Sequence, residues 1–462
     1  MFPGYLFFAA LLGVAHSVSL PSFHVAAKES ATALLERRGK WWAQVGDRVY
    51  HSPPPELGLS PDSKSYYYAL GSRAAVPKAL QAHRVGGEGR LHIFHLPAKE
   101  VPSAMVEVAA TQNSSRRSAL SSLKQLRNGL VVSEVFPVYE LKGNYVNPLV
   151  KSGQEDLEKR VVGSITADGI YAYLERITKL PGGGEPSRSA HNVTASEAVQ
   201  SYLENQFKSM GLRACRQPFQ RQGATFTNVF ALVPGSGGST DTVTVGAHYD
   251  SIPSKGAAPG AEDNGSGLAA LLALAKAFTD AKVSPKKNVY FVAFAAEESG
   301  LLGSDVFANA IKTGTPLMRP ECMAKGVGSS FLERSGKHQA IIMDEVGWKS
   351  GVFPNATVNL ETYDWVQDSG ELEHLAQSSR LHNGKALNVT RSFHPFGSDH
   401  MSWLSRQMPA VLTINGDDAN YPHYHKSSDT IDHVDKHLMH MITKMNMGAL
   451  LRMASIANEI AA

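Results

Sequence analysis

The chain has 462 residues, of which 43% are hydrophobic and 19% are charged, a composition that excludes a collagenous, coiled-coil or wholly disordered chain. The 45 basic residues nearly balance the 42 acidic ones, and this balance gives no basic field for a phosphate backbone, so we expect no nucleic-acid partner. Two cysteines are too few for a disulfide framework, a four-cysteine zinc site or an iron–sulfur cluster, and one bond between Cys215 and Cys322 stays open.

The first element in chain order is an apolar N-terminal run that stops at small residues before Leu20. It is short for a membrane-spanning helix and is interrupted by His16, which favours a cleaved signal peptide over an uncleaved anchor. We therefore expect residues 1–19 to be removed and the mature chain to be secreted, or to reside in a vacuole or another secretory compartment, without a membrane segment. Four glycosylation sequons agree with this, at Asn113, Asn192, Asn355 and Asn388.

Residues 20–154 carry few groups that could do chemistry and predict a small α+β unit. The stretches 90–96 and 130–139 are typical of strands, and the segment from Ser118 to Leu130 is typical of a helix. A unit between a signal peptide and a larger domain is interpreted as a propeptide that covers the site or assists folding. A permanent accessory domain is the equally weighted alternative.

Strands and helices alternate over residues 155–462, which predicts an α/β domain with a mixed, largely parallel central sheet flanked by helices. The predicted helices are 166–178, 195–210, 267–282 and 435–460, and the predicted strands are 228–233, 242–247, 288–295, 339–343 and 410–414. Four methionines in the last helix are interpreted as core packing. No GxGxxG turn and no P-loop lysine follows the glycine-rich loops, so nucleotide binding has no support.

Metal-binding side chains follow several of these strands. Residues i and i+2 of an extended chain face the same way, so Asp250 can orient a ligating His248. Asp263 lies just before a helix N-terminus, in a loop whose glycines permit close backbone packing. Glu297 and Glu298 end a buried strand, where one carboxylate can bind a metal ion while the other accepts a proton.

Another predicted strand ends at Asp344, and a late loop carries His423 and His425. Each of these features is common by chance when it stands alone. Four strand ends and one loop that all deliver carboxylates or imidazoles are better explained by a metal site than by coincidence.

In order and spacing these motifs resemble the co-catalytic dizinc exopeptidases of metallopeptidase family 28, in particular the secreted bacterial and fungal leucyl aminopeptidases. The resemblance covers roughly two thirds of the chain, from Glu155 to the C-terminus. The motifs are His248-Tyr-Asp250, Gly260-Ala-Glu-Asp263-Asn-Gly-Ser-Gly, Ala296-Glu297-Glu298-Ser-Gly-Leu-Leu-Gly-Ser, Met343-Asp344, Ser398-Asp-His-Met-Ser-Trp403 and His423-Tyr-His425.

The resemblance implies a secreted, zinc-dependent aminopeptidase that removes N-terminal residues from peptides or proteins. It implies two zinc ions around a shared aspartate, with two further ligands on each ion. The implied set is Asp263 as the bridge, His248 and Asp344 on one ion, and Glu298 and His425 on the other. Such a pair of ions would polarise a carbonyl and hold a bridging hydroxide.

The resemblance also assigns roles outside the ligand set. Glu297 would be the general base that takes the water's proton and passes it to the leaving amine. The family's ligand is the second histidine of the Pro-His-x-His loop, which favours His425, whereas the residues alone do not separate it from His423. Where the bacterial enzymes have a tyrosine that helps stabilise the oxyanion, this chain has Pro395, and the neighbouring His394 is the substitute donor we consider.

Several alternatives and smaller expectations remain at this point. Another exopeptidase, a dipeptidase or carboxypeptidase, would use the same fold, and the oligomeric state is open. Glutaminyl cyclases share the fold but use one zinc ion and carry Asp-Ser in place of Asp263-Asn264, and a non-catalytic ectodomain would usually have a broken ligand set. His400 is interpreted as a buried structural histidine. The sequon at Asn264 is expected to be unmodified because a glycan there would block the metals.

Overall fold

The computed structural model describes short strands and one helix before residue 139, and most of the chain after it. The described part after that point comprises residues 139, 141, 145–151, 153–236, 239–253, 256–313, 336–351, 355–393, 395, 397–418 and 421–456. The predicted signal peptide, Asn113 and Cys322 lie outside the described residues.

The chain divides into two compact units, Met1–Asn113 with Ser118–Val135, and Ser114–Arg117 with Phe136–Ala462. Residues 136–154, which the sequence analysis placed in the N-terminal unit, therefore group with the larger unit. Whether the N-terminal residues are removed stays a prediction.

In its described residues the N-terminal unit has two four-stranded sheets and one short helix, α1 (Lys78–Gln81). One sheet has the order β1-β3-β2-β8, and the other has the order β5-β6-β4-β7. The strands are β1 (His24–Ala27), β2 (Trp42–Val45), β3 (Arg48–His51), β4 (Tyr66–Leu70), β5 (Arg84–Gly86), β6 (Leu91–His95), β7 (Lys124–Gln125) and β8 (Leu130–Val132).

The helix predicted from Ser118 to Leu130 is wrong. Lys124 and Gln125 form strand β7, which pairs antiparallel with the aromatic strand β4, and Leu130 begins β8. Pairing with a strand distant in sequence overrides the weak local helix preference of this segment.

The larger unit is built on one eight-stranded sheet with the order β15-β14-β16-β13-β11-β12-β10-β9. The four strands β12, β11, β13 and β16 are mutually parallel neighbours, and the flanking pairs include antiparallel ones. The mixed, largely parallel sheet is therefore confirmed. The strands are β9 (Ala214–Arg221), β10 (Ala224–Val233), β11 (Thr242–His248), β12 (Asn288–Phe294), β13 (His338–Met343), β14 (Ala356–Glu361), β15 (Leu387–Ser392) and β16 (Ala410–Asn415).

Helices make up much of the remaining described part of this unit, and the four predicted ones are present with shifted ends. They are α2 (Pro148–Lys151), α3 (Glu155–Gly163), α4 (Ala167–Ile177), α5 (Val193–Ser209), α6 (Gly267–Asp280), α7 (Leu302–Thr313), α8 (Glu371–Asn383), α9 (Met401–Leu404) and α10 (Lys436–Ala454). No helix in the described ranges combines the length and the apolar composition needed to cross a bilayer.

Burial explains why the central elements form where they do. Every residue of β11, β12 and β16 is buried, as expected for parallel strands covered on both faces. Helix α6 is rich in Ala and Leu, which favour helix, and is buried nearly all round. In α10, Met439, Met445 and Met447 are buried and Met441 packs against the core, so the core-packing interpretation is confirmed.

Cys215 lies in the edge strand β9 and is disulfide-bonded. The only other cysteine of the chain, Cys322, is outside the described residues.

The parallel direction of the central strands positions the site. Strands β11, β12, β13 and β16 all end at the same edge of the sheet, so the segments that follow them can meet there.

Candidate metal centre

The candidate ligands come from segments that follow these strands. His248 is the last residue of β11, Glu297 and Glu298 follow β12, and Asp344 follows β13 directly. A buried irregular turn, Ala261–Ser266, precedes α6 and carries Asp263, and the loop after β16 carries His425. The structure therefore brings the predicted ligands to one edge of the sheet. Their assignment as ligands stays a prediction.

The carboxylate of Asp263 lies between two imidazoles. Its Oδ1 is 3.3 Å from Nε2 of His248, and its Oδ2 is 3.1 Å from Nε2 of His425. One oxygen thus faces each imidazole, the arrangement that a bridging carboxylate requires.

Each imidazole also faces a second carboxylate. Nε2 of His248 is 3.3 Å from Oδ1 of Asp344, and Nε2 of His425 is 3.1 Å from Oε2 of Glu298. The two groups, His248 with Asp344 and His425 with Glu298, share only Asp263. This pairing is the one that the family resemblance implies.

Glu297 is buried beside this arrangement and is 2% exposed, and its Oε2 lies 4.0 Å from Nε2 of His248. A carboxylate next to the ligand groups, but outside the two closest pairs, is where a general base is needed.

Asp250 lies beside His248, as expected, and also contacts the segment that carries the two glutamates. Its carboxylate Oδ1 is 3.6 Å from Nδ1 of His248, whereas its main-chain oxygen is 3.1 Å from that nitrogen. Because a carbonyl oxygen only accepts, Nδ1 carries the proton and Nε2 is left to face the carboxylates. The Asp250 carboxylate instead accepts hydrogen bonds from the backbone N–H groups of Glu297 and Glu298, at 3.0 and 3.2 Å. Asp250 therefore orients His248 and also holds the segment that carries the two glutamates.

His425 and His423 are separated by their contacts. The ring of His425 stacks on Tyr424, with ring centroids 3.6 Å apart. The ring of His423 instead stacks on His433 at 3.7 Å, and its Nδ1 is 2.9 Å from Oγ of Ser428. Of the two histidines, it is His425 whose ring contacts the carboxylates.

The neighbouring carboxylates raise the pKa of both imidazoles. Burial alone would lower the pKa of His248, but the carboxylates of Asp344 and Glu297 raise it well above its ordinary value. Burial likewise opposes the positive charge on His425, whereas Glu298 and Asp263 raise its pKa to about 10. The protein alone therefore favours a positive charge on each ring, which a bound cation would replace while releasing the protons.

The donor set fits zinc in chemistry and in spacing. Imidazole nitrogens and carboxylate oxygens are usual zinc ligands, and two such atoms bound tetrahedrally at ~2.0–2.2 Å lie ~3.3–3.5 Å apart. The four nitrogen–oxygen distances here, from 3.1 to 3.3 Å, are close to that value. Ligand atoms of His248, Glu297 and Asp344 lie within 4.8 Å of one another, as do those of His248, Asp263 and Glu298.

Some side chains at the site were missed as functional residues. Ser398, which lies in one of the quoted motifs, donates from its Oγ to Oδ2 of Asp344 at 2.7 Å. The carboxylate of Glu345 lies within 4.8 Å of those of Asp263 and Asp344. Arg188 is fully buried behind the site, and no motif pointed to it.

Three smaller expectations have different outcomes. His400 is fully buried, in agreement with its structural interpretation. Asn264 is also fully buried and donates to the main-chain oxygen of Met343 at 2.8 Å, which leaves no room for a glycan. His394 lies outside the described residues, so the oxyanion donor stays a prediction.

The larger unit is an α/β domain whose buried carboxylates and imidazoles meet at one edge of the central sheet. Residues 228–450 match the model of Peptidase family M28. This match covers just under half of the chain, and it confirms the resemblance drawn from the motifs.

Individual relatives agree with this family. The chain is 30% identical over 187 residues to a probable leucine aminopeptidase of Arthroderma otae, covering 38% of this chain and 47% of that protein. It is 27% identical over 289 residues to a probable zinc metalloprotease of Pyrenophora teres f. teres, covering 57% of this chain and 56% of that protein. The matched stretch thus spans about half the length of these relatives.

A solved structure supports the fold over a larger part of the chain. The LapA aminopeptidase of Legionella pneumophila aligns with a TM-score of 0.54 at 19% identity, covering 84% of this chain and 98% of that chain. At this identity the likeness establishes the fold alone.

Proposed function

We propose that this protein is a secreted dizinc aminopeptidase that hydrolyses N-terminal residues from peptides. The observation that carries the proposal is the position of Asp263, with one carboxylate oxygen facing His248 and the other facing His425. The names of the relatives support a metallopeptidase. The number of ions and the substrate are our proposal.

The side chains of the site have distinct roles in this proposal. Asp263 would be shared by two zinc ions, with His248 and Asp344 on one side and Glu298 and His425 on the other. When bound, zinc would polarise the peptide carbonyl and favour ionisation of water. Glu297 would take the proton of the attacking water and deliver it to the nitrogen of the leaving amine.

Metal removal tests the proposal directly. The full chain is treated with a chelator, zinc content is measured, and hydrolysis of amino-acid p-nitroanilides is followed before and after zinc is added back. We expect two zinc equivalents per chain before treatment, loss of hydrolysis after removal, and recovery on zinc addition. Hydrolysis that continues undiminished after verified zinc removal would reject the proposal.

Peptide substrates that are blocked at one end distinguish an aminopeptidase from a carboxypeptidase. An aminopeptidase needs the free amine, so we expect peptides with an acetylated N-terminus to resist cleavage and peptides with an amidated C-terminus to be cleaved. The opposite pattern would indicate a carboxypeptidase. Formation of pyroglutamate with release of ammonia from N-terminal glutamine would indicate a glutaminyl cyclase.

The secretory compartment is part of this proposal. Asn355 is exposed and Asn388 is half-buried in strand β15, so Asn355 is the more accessible of these two sequons. N-terminal sequencing of the protein from its native source should find a chain that begins after residue 19 or later. A mature chain that still begins at Met1 would argue against signal cleavage.

A further inference from the structure

The backbone segment from Pro259 to Asp263, which leads to the shared aspartate, is held on its carbonyl side by the buried side chain of Arg188. The guanidinium is 1% exposed. It donates from Nε to the oxygen of Tyr249 and from Nη2 to that of Gly260, each at 2.8 Å, and from Nη1 to that of Pro259. Arg188 therefore ties the segment to the residue that directly follows His248.

The close approach of Arg188 depends on Gly260. This residue has a φ of +50°, and a Cβ there would lie 3.0 Å from Nη2 of Arg188 and 2.5 Å from the oxygen of Asp263. A side chain at position 260 would thus push the backbone away from the guanidinium.

The amide side of the same segment is held by Asp429, which is 1% exposed. Its Oδ1 accepts from the N–H of Glu262 at 2.9 Å, and its Oδ2 accepts from the N–H of Asp263 at 3.0 Å. Its main-chain oxygen also accepts from the N–H of Ala261 at 3.1 Å. Asp429 lies four residues after His425, so it ties the shared aspartate to the loop of the second imidazole.

The two contacts are complementary. A buried cation binds carbonyl groups of the segment and a buried anion binds its N–H groups, and both satisfy polar backbone that burial would otherwise leave costly. Arg188 connects the segment to the His248 strand, and Asp429 connects it to the His425 loop. Arg188 and Asp429 therefore together fix the distance between the two imidazoles that Asp263 must span.

We propose that Arg188 and Asp429 are a pair of positioning residues that hold the Asp263 carboxylate where it reaches both His248 and His425, and that zinc affinity depends on them. This inference rests on the proposed dizinc site. It assigns no contact with substrate to either residue.

A role in fold stability alone is the competing explanation, and the chain supplies a matched control. Arg452 is another buried arginine, 2% exposed, which pairs with Glu158 and also donates to Tyr145 and to the main-chain oxygen of His374, and none of these residues belongs to the candidate metal centre. The substitution Arg452→Lys therefore weakens a buried arginine contact without touching the Asp263 segment.

The test compares Arg188→Lys, Asp429→Asn and Arg452→Lys in the full chain. Lysine keeps the charge but cannot bind three carbonyl groups in the arginine geometry. Asparagine keeps the shape but offers only one acceptor oxygen, so one of the two backbone N–H groups loses its partner. If one of the two site variants fails to fold, the other still decides the outcome.

Two quantities are measured for each protein: the zinc dissociation constant, by competition with a chromophoric chelator, and the thermal midpoint of the zinc-free form. We expect Arg188→Lys and Asp429→Asn to bind zinc about 10- to 100-fold more weakly, as is typical when the groups that orient ligands are lost. Arg452→Lys should lower the midpoint and leave zinc affinity unchanged.

Two results would overturn this inference in different ways. If the unaltered protein binds zinc tightly and both site variants bind it equally tightly, the positioning role is wrong and the proposed function survives. If the unaltered protein binds no zinc, the proposed dizinc site itself fails, and the positioning role fails with it.

Discussion

The larger unit contains two buried polar clusters that use similar side chains but differ in charge balance. In the first, which we call the Glu158 cluster, the glutamate accepts from Arg452, from Nε2 of His382 at 3.0 Å and from Nδ2 of Asn147 at 2.9 Å. Burial opposes ionisation of Glu158, but His382 and Arg452 more than compensate and lower its pKa. This cluster is satisfied by the protein's own groups.

The second is the candidate metal centre, where five carboxylates lie within 4.0 Å of the two imidazoles. There the imbalance acts on the histidines, whose pKa values are raised. Both clusters bury acidic side chains. Of the two, the candidate metal centre is the one in which the acidic side chains outnumber the basic ones. Because an excess of buried negative charge is costly, this excess indicates that the site binds a cation.

The sharpest test of this contrast removes one carboxylate at the candidate metal centre and, as a control, one buried carboxylate outside both clusters. Glu297→Gln should lower kcat by at least ~100-fold, because a positioned base contributes about that factor, while zinc content stays at the level of the unaltered protein. The matched control is Glu373→Gln, at a buried glutamate that accepts from the hydroxyl of Tyr139 at 3.0 Å. Full activity of Glu297→Gln would exclude this residue as the base.

A second test exploits the two histidines of one loop. His425→Ala should lose one of the two zinc ions, because its ring faces the carboxylates of Asp263 and Glu298. His423→Ala should retain both, because its ring contacts His433 and Ser428 instead. Metal analysis of the purified variants checks this, and the reverse pattern would move the ligand role to His423.

A substitution in the Glu158 cluster should lower the free energy of unfolding and leave the activity unchanged. Arg452→Met leaves Glu158 buried with only part of its compensation, and breaking a buried ion pair in this way costs ~3–5 kcal/mol. Denaturant unfolding should show that loss, while kcat/KM per folded molecule stays unchanged. A variant of normal stability but low zinc content would contradict the separation of the two clusters.

A further expected effect is a pH dependence of the stability of the zinc-free protein. The pKa of His425 is raised to about 10 in the folded chain, compared with ~6.5 for an ordinary histidine. A raised folded-state pKa stabilises the fold fully below ~6.5, and this contribution is lost as the pH rises towards 10. The thermal midpoint of the zinc-free protein should therefore fall over that range more than the midpoint of the zinc-loaded protein.

The control for this pH effect is His425→Gln, which cannot be protonated in that range. In the zinc-free state this variant should lose most of the extra pH dependence. An unchanged dependence would assign the effect to other groups.

The central part of the fold could be predicted from the sequence because its strands are fully buried. Thr242–His248 begins with four β-branched residues, Asn288–Phe294 is apolar after its first residue, and both are followed by polar turns. The edge strand Ala214–Arg221 was missed, because it reads as polar and its last residues are mostly exposed. The strand Ala356–Glu361 was missed as well, although it is buried, because Thr357 and Asn359 interrupt its apolar pattern.

The sequence predicted which types of residue lie at the strand ends of the site, but it did not predict the contacts that orient them. A pattern of side chains along the chain does not contain the backbone contacts that orient them. The carboxylate of Asp250 was expected to act on His248, but the pattern did not predict the hydrogen bonds that it accepts from the N–H groups of Glu297 and Glu298. Arg188 was not predictable for the same reason, because its three acceptors are main-chain oxygens of residues distant in sequence.

The spread of the ligands along the chain has a consequence during biosynthesis. His248 is synthesised 177 residues before His425 (425 − 248), yet Asp263 needs both imidazoles to complete the site. Synthesis is vectorial, so a partly made chain exposes the first acidic groups without their later partners. The nascent polypeptide should thus be inert until His425 has been made, and metal loading should await the loop that carries this histidine.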